Sequence, residues 1–117
     1  MLEFVLDFFY PPVCGFCNKI NKNWICKNCN KKINSLIRAN KIIYKNKYFE
    51  ELIYLFDYNG IIRDKILDYK FNDKSYLYKT FSKIIIKNEK ICGIIQKYDI
   101  IIPVPMNRKK LKLRGYN

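Results

Sequence analysis

The chain has 117 residues, of which 50% are hydrophobic and 16% aromatic, enough apolar mass for folded structure and too much for a disordered tail. Its formal net charge is +13, from 23 Lys plus Arg against 10 Asp plus Glu, which favours polyanionic partners and phosphate-bearing ligands. A solvated lysine-rich surface without a dedicated partner fits the same balance, and the absence of histidine excludes imidazole acid-base chemistry and histidine metal ligation.

In chain order, Leu2, Val5, Leu6 and Phe9 fall at the spacing of one helical face, and Pro11-Pro12 ends the helix they predict. Residues 1–12 therefore read as an amphipathic helix that docks against the cysteine-bearing module that follows or against its neighbour, with association with a membrane surface as the alternative. The segment lacks a basic leader, is interrupted by Glu3 and Asp7, and is too short to span a bilayer. A cytoplasmic protein without a membrane span is expected.

Cys14-Gly-Phe-Cys17, eight intervening residues and Cys26-Lys-Asn-Cys29 come next. Each Cys-x2-Cys can form a tight knuckle with both sulfurs turned inward, so the two together predict a four-cysteine zinc ribbon over residues 13–40, with one structural zinc per chain. A pair of redox-active Cys-x2-Cys units and an iron-sulfur cluster are the alternatives. Trp24 and Ile25 are expected to pack over the site. Ile33, Leu36 and Ile37 predict a short helix leaving it, and Ile42-Ile43-Tyr44 a short strand near a module boundary at residues 40–50.

The second module is expected over residues 48–117. Leu52 to Tyr58 is a strand-length run of β-formers, and Asn59-Gly60 turns the chain. Tyr58, Ile62, Ile66 and Tyr69 then predict a helix carrying Arg63 and Lys70 on one face, a pair suited to phosphate or to plain solvation. A second helix should turn Leu77, Phe81, Ile84 and Ile85 inward, and Cys92 reads as a half-buried thiol without a base to activate it. Asp99 opens a nearly continuous apolar run, Ile100 to Val104, that predicts a strand buried on both faces of a parallel sheet. Pro103 and Pro105 fix its exit toward a basic segment with Arg108, Lys109, Lys110, Lys112 and Arg114.

Taken together, the four-cysteine ribbon, Tyr58-Asn-Gly60 with Arg63, the Lys70-Phe71 pair and Asp99…Pro103-Val104-Pro105…Arg114-Gly115-Tyr116-Asn117 resemble the ComF/GntX family of competence-protein-F-like, type I phosphoribosyltransferase-related proteins. The resemblance implies an α/β chain: a small N-terminal four-cysteine zinc ribbon followed by the first part of a phosphoribosyltransferase-like parallel-sheet domain, incomplete and truncated at Arg-Gly-Tyr-Asn. It implies a role in competence and in the uptake or use of DNA. It also implies Arg108 and Arg114 as phosphate or pyrophosphate contacts, with Arg63 and Lys70 as secondary basic candidates.

An acidic Asp-Asp pair and a Thr- and Gly-rich phosphate loop, which the family reaction needs, are absent, so no catalytic residue is assigned and the chain alone is expected to be inactive. Magnesium and phosphoribosyl pyrophosphate would belong only to a full-length form. Single-stranded DNA, proteins of the competence machinery and a separately encoded C-terminal half are the expected partners. The alternative is a zinc-ribbon module that binds nucleic acid or protein through its basic C-terminal tail.

Overall fold

A computed structural model of the chain describes residues 2–43 and 48–117. Helix α1 spans Leu2–Phe9, α2 Lys27–Asn34, α3 Gly60–Phe71, α4 Leu77–Lys87, α5 Glu89–Ile95 and α6 Arg108–Arg114; strands β1 and β2 span Ile37–Ile43 and Glu51–Phe56. No helix among the described residues is long and apolar enough to cross a membrane.

The sheet corrects the expected architecture. Among the described residues it has two strands, and they pair antiparallel, Ile43 opposite Glu51 and Ile37 opposite Phe56. Only residues 44–50 separate the strands, whereas a parallel crossover needs about a dozen residues or more. The register slips between Ile37 and Asn40, where Ala39 sits at a φ of 45° and bulges the strand.

Nor does the apolar run Ile100 to Val104 form a strand: it pairs with no strand among the described residues, and each of Ile100, Ile101, Ile102 and Val104 is at least 74% exposed. Pro103 and Pro105 offer no N–H to a ladder, so apolar content here does not translate into sheet membership. The parallel-sheet phosphoribosyltransferase domain expected over residues 48–117 is therefore not the fold of this segment.

The core is small and is shared between the cysteine loops and the helices. Cys14, Phe16, Ile25 and Ile33 pack with Ile62 of α3 and Ile84 of α4, flanked by Ile37, Leu55, Phe56 and Ile66. A radius of gyration of 16.3 Å exceeds the roughly 13.4 Å of a compact chain of this length, so apolar burial alone holds the fold weakly.

Helix α3 buries Ile62 as its period predicts, and Tyr69 meets Phe81 edge-on at 6.0 Å. Helix α4 buries Leu77, Thr80 and Ile84, whereas Ile85, expected inside, is exposed. Val5, Leu6 and Phe9, three residues of the face expected to dock, are likewise exposed, as is Phe8. The helix expected after Cys29 begins at Lys27, inside the second knuckle, and Ile37 belongs to β1 instead. Tyr44, the end of the expected short strand, lies outside the described residues.

An unexpected constraint ties the ribbon to α4. Thr80 is fully buried, and its hydroxyl donates to the Trp24 carbonyl at 2.8 Å, while the Gly15 N–H donates to the same oxygen at 3.1 Å. A Cβ on Gly15 would stand 2.5 Å from Thr80 Oγ1 and 2.7 Å from Leu77 Cδ2, both immobilised by burial. Gly15→Ala should therefore cost about 1–3 kcal/mol by overpacking. Thr80→Val, which keeps the shape and loses only the hydrogen bond, should cost about 1 kcal/mol. Urea unfolding of the two variants checks the order, which reverses if α4 can back away from the ribbon.

A second tie fixes the end of α3 to the turn before α4. Asp68 accepts from Lys74 Nζ and from Asn72 Nδ2, both at 2.8 Å, with Lys65 3.6 Å away. The Lys74 hydrogen bond first, then that of Asn72, holds the Asp68 carboxyl down at about 2 from an ordinary 3.8. Because the folded value is the lower one, the contribution is present above pH 3.8 and is lost as the pH falls toward 2. Asp68→Asn should melt below the parent at neutral pH, and the gap should close between about pH 4 and 2 in a circular-dichroism melting series.

Candidate metal centre

The local chain path that gathers the cysteines results from short-range backbone bonds. Val13 bridges Ile20, Cys14 N–H donates to the Lys19 carbonyl at 2.8 Å, and Asn18 N–H returns to the Cys14 carbonyl at 2.8 Å. Asn18, at a φ of 60°, supplies the left-handed residue that closes this first knuckle, and asparagine tolerates that region better than most. Trp24, at a φ of 62°, turns the chain into the second knuckle. Cys26 then caps α2, its Sγ accepting from the Cys29 N–H at 3.5 Å.

The result is a cluster in which the sulfurs of Cys14, Cys17, Cys26 and Cys29 all lie within 4.8 Å of one another. Cys14 is buried, Cys26 and Cys29 are half-buried, and Cys17 faces solvent. Four convergent thiols can hold a metal ion. Ile25 is buried in the adjoining core, and the half-buried Trp24 ring lies under Lys79 of α4, whose Nζ is 4.3 Å from the ring centre.

The surroundings divide the thiols electrostatically. Burial works to raise Cys14, but the backbone N–H groups of Cys26, Cys17 and Phe16 outweigh it and bring the thiol down to about 6. Cys26 is also lowered, first by the Cys29 N–H at the start of α2. Cys29 is pushed up by burial and then by the sulfurs of Cys26, Cys17 and Cys14. These surroundings favour the thiolate at Cys14 and the thiol at Cys29, and a cation that takes all four sulfurs as thiolates would displace whatever protons they hold.

Metal affinity should therefore fall as the pH falls. The slope of log affinity against pH should steepen below about 6, where Cys14 also competes for a proton. Competition titrations with a chromophoric chelator across that range measure the slope. A flat response would show that the cysteines are not the ligands.

The basic residues gather elsewhere. Helix α6 is capped by Asn107, whose Oδ1 accepts from the Lys109 N–H at 2.9 Å, and is closed by Gly115 at a φ of 78°. Past it, the Tyr116 hydroxyl donates to the Tyr69 carbonyl and the two rings stand 5.1 Å apart, latching α6 onto the end of α3. Between these helix ends is a cleft of about 370 Å³ lined by Lys70, Phe71, Asp73, Lys110, Leu113 and Arg114.

The structure thus brings Lys70 and Arg114 together and leaves Arg108 and Arg63 outside the cleft. Arg108 opens α6, about 9 Å along the axis from Arg114. Arg63, near the opposite end of α3, faces Asp64 at 3.7 Å in an exposed pair of little energetic weight. Of the other cleft residues, the sequence marks Lys110 only as part of the basic segment and Phe71 only as the neighbour of Lys70, while Asp73 and Leu113 carry no site signal there. The spacing of Lys110 and Arg114, four apart, places them on one face once α6 is recognised.

Comparisons with family models, with curated proteins and with solved structures find no match. Together with the antiparallel strand pair, this overturns the ComF/GntX resemblance. The phosphoribosyltransferase identity, the competence and DNA-uptake role, and the fragment of that enzyme family all fall with it. The cysteine cluster does not depend on that resemblance and stands on its own geometry.

Proposed function

We propose that this chain is a zinc-ribbon interaction module that binds single-stranded nucleic acid through its basic C-terminal segment. The cysteine cluster carries the reading. Zinc bound by four thiolates at about 2.3 Å sets the sulfurs about 3.8 Å apart. The Cys17 and Cys26 sulfurs stand 3.7 Å apart, close to that edge length. A soft four-sulfur donor set suits Zn²⁺ and leaves no open position for water, so the ion is structural, one per chain. Reduced thiols of this kind belong to a reducing compartment such as the cytoplasm.

The nucleic-acid half of the reading rests on charge. Helix α6 carries Arg108, Lys109, Lys110, Lys112 and Arg114 without a single acidic residue. Such a surface meets phosphates by counterion release, and exposed aromatic rings nearby suit unpaired bases.

Two measurements on the whole chain test the two halves separately. Native mass spectrometry should find one zinc per chain, and a chain that folds with no metal removes the zinc assignment. Fluorescence anisotropy with a labelled single strand should show binding at low salt whose log affinity falls linearly with log salt, by about 0.7 per phosphate engaged. No binding at low salt removes the nucleic-acid assignment and leaves the zinc assignment intact.

A further inference from the structure

The cleft between the end of α3 and α6 combines three features that one nucleotide of a single strand would use. Phe71, the last residue of α3, is 70% exposed, so its ring is open to a flat ligand. The Arg114 guanidinium lies over that ring, 5.6 Å from its centre, so the ring is already layered with a flat cation. Lys70 and Lys110 stand on opposite walls, one from each helix, and the tyrosine latch between Tyr116 and Tyr69 holds those walls together.

We infer that this cleft is a base-stacking subsite for one nucleotide of a single strand, with the base layered on Phe71 and Arg114 and its phosphate held between Lys70 and Lys110. The inference rests on the proposed nucleic-acid reading and adds to it a place and a mode of contact. A basic surface alone needs no exposed ring, whereas a stacking site needs a ring, a planar cation and phosphate donors within one nucleotide's reach. The cleft's volume of about 370 Å³ falls in the size range of small-ligand sites. Asp73 on its rim can accept from a base amino group. Stacking tolerates every base, so little sequence preference is expected.

The test compares an oligothymidylate strand with an abasic strand of the same length and phosphate number, using the zinc-loaded full chain. Phe71→Ala should weaken binding of the thymidylate strand about tenfold and leave the abasic strand unchanged, and Phe71→Trp should restore the loss. Lys110→Ala should weaken both strands and flatten the salt dependence, by more than Lys90→Ala, which removes the same charge from α5. Melting curves confirm that Phe71→Ala is folded, and the Trp variant carries the test should it not be.

Equal binding of both strands by the parent, with Phe71→Ala indistinguishable from it, would overturn the subsite and leave charge-driven binding in place. Binding of neither strand by the parent would overturn both readings.

Discussion

Gly15 and α4 approach so closely that no side chain fits between them, and the Trp24 carbonyl collects hydrogen bonds from both sides of that seam. The contact sets where the first cysteine knuckle sits relative to the helices. It also brings Cys14 and Phe16 into one core with Ile62 and Ile84. In a chain that buries this little apolar surface, the seam would make binding of a metal at the cysteines and helix packing one equilibrium rather than two. A cation that organises the cysteines also orients Gly15 and Trp24 toward Thr80. The helices, docked on that seam, lower the entropy the cysteines must lose to converge.

The charge distribution shows a similar division. Zinc with four thiolates would carry a net charge of about −2, and the helix that begins at the cluster carries Lys27, Lys31 and Lys32 with no acidic residue. Lys31 and Lys32 in its last turn also suit the helix dipole. Asp73 is the acidic residue among those that line the cleft beside α6, and α6 itself carries none, so that end of the molecule presents a basic surface.

How much of this was legible in the sequence depends on the kind of signal. Cysteine spacing encodes a local geometry, so the cluster could be read directly, and periodic apolar residues such as Ile62, Leu77 and Ile84 marked their buried faces. Thr80 could not be read, because its burial depends on a carbonyl 56 residues away. Helix α6 was readable in principle from Asn107 and Gly115 at its ends, but lysines alternating with leucines masked a period shorter than two turns. The run Ile100 to Val104 misled because continuous hydrophobicity specifies burial only when a neighbouring strand is available. The family resemblance compounded that error by supplying a parallel sheet for it to join.

That exposed run has a colloidal consequence. Asp99-Ile-Ile-Ile is a short, β-prone, nearly uncharged segment of the kind that seeds strand stacking between molecules, and Pro103 and Pro105 cut it short before it reaches the length of a steric zipper. Beyond the prolines, mutual repulsion between molecules of charge +13 keeps such segments apart. Rising ionic strength shortens the reach of that repulsion while leaving the apolar attraction intact. Any contact between such segments of separate molecules would therefore be disfavoured in dilute salt and favoured as salt rises.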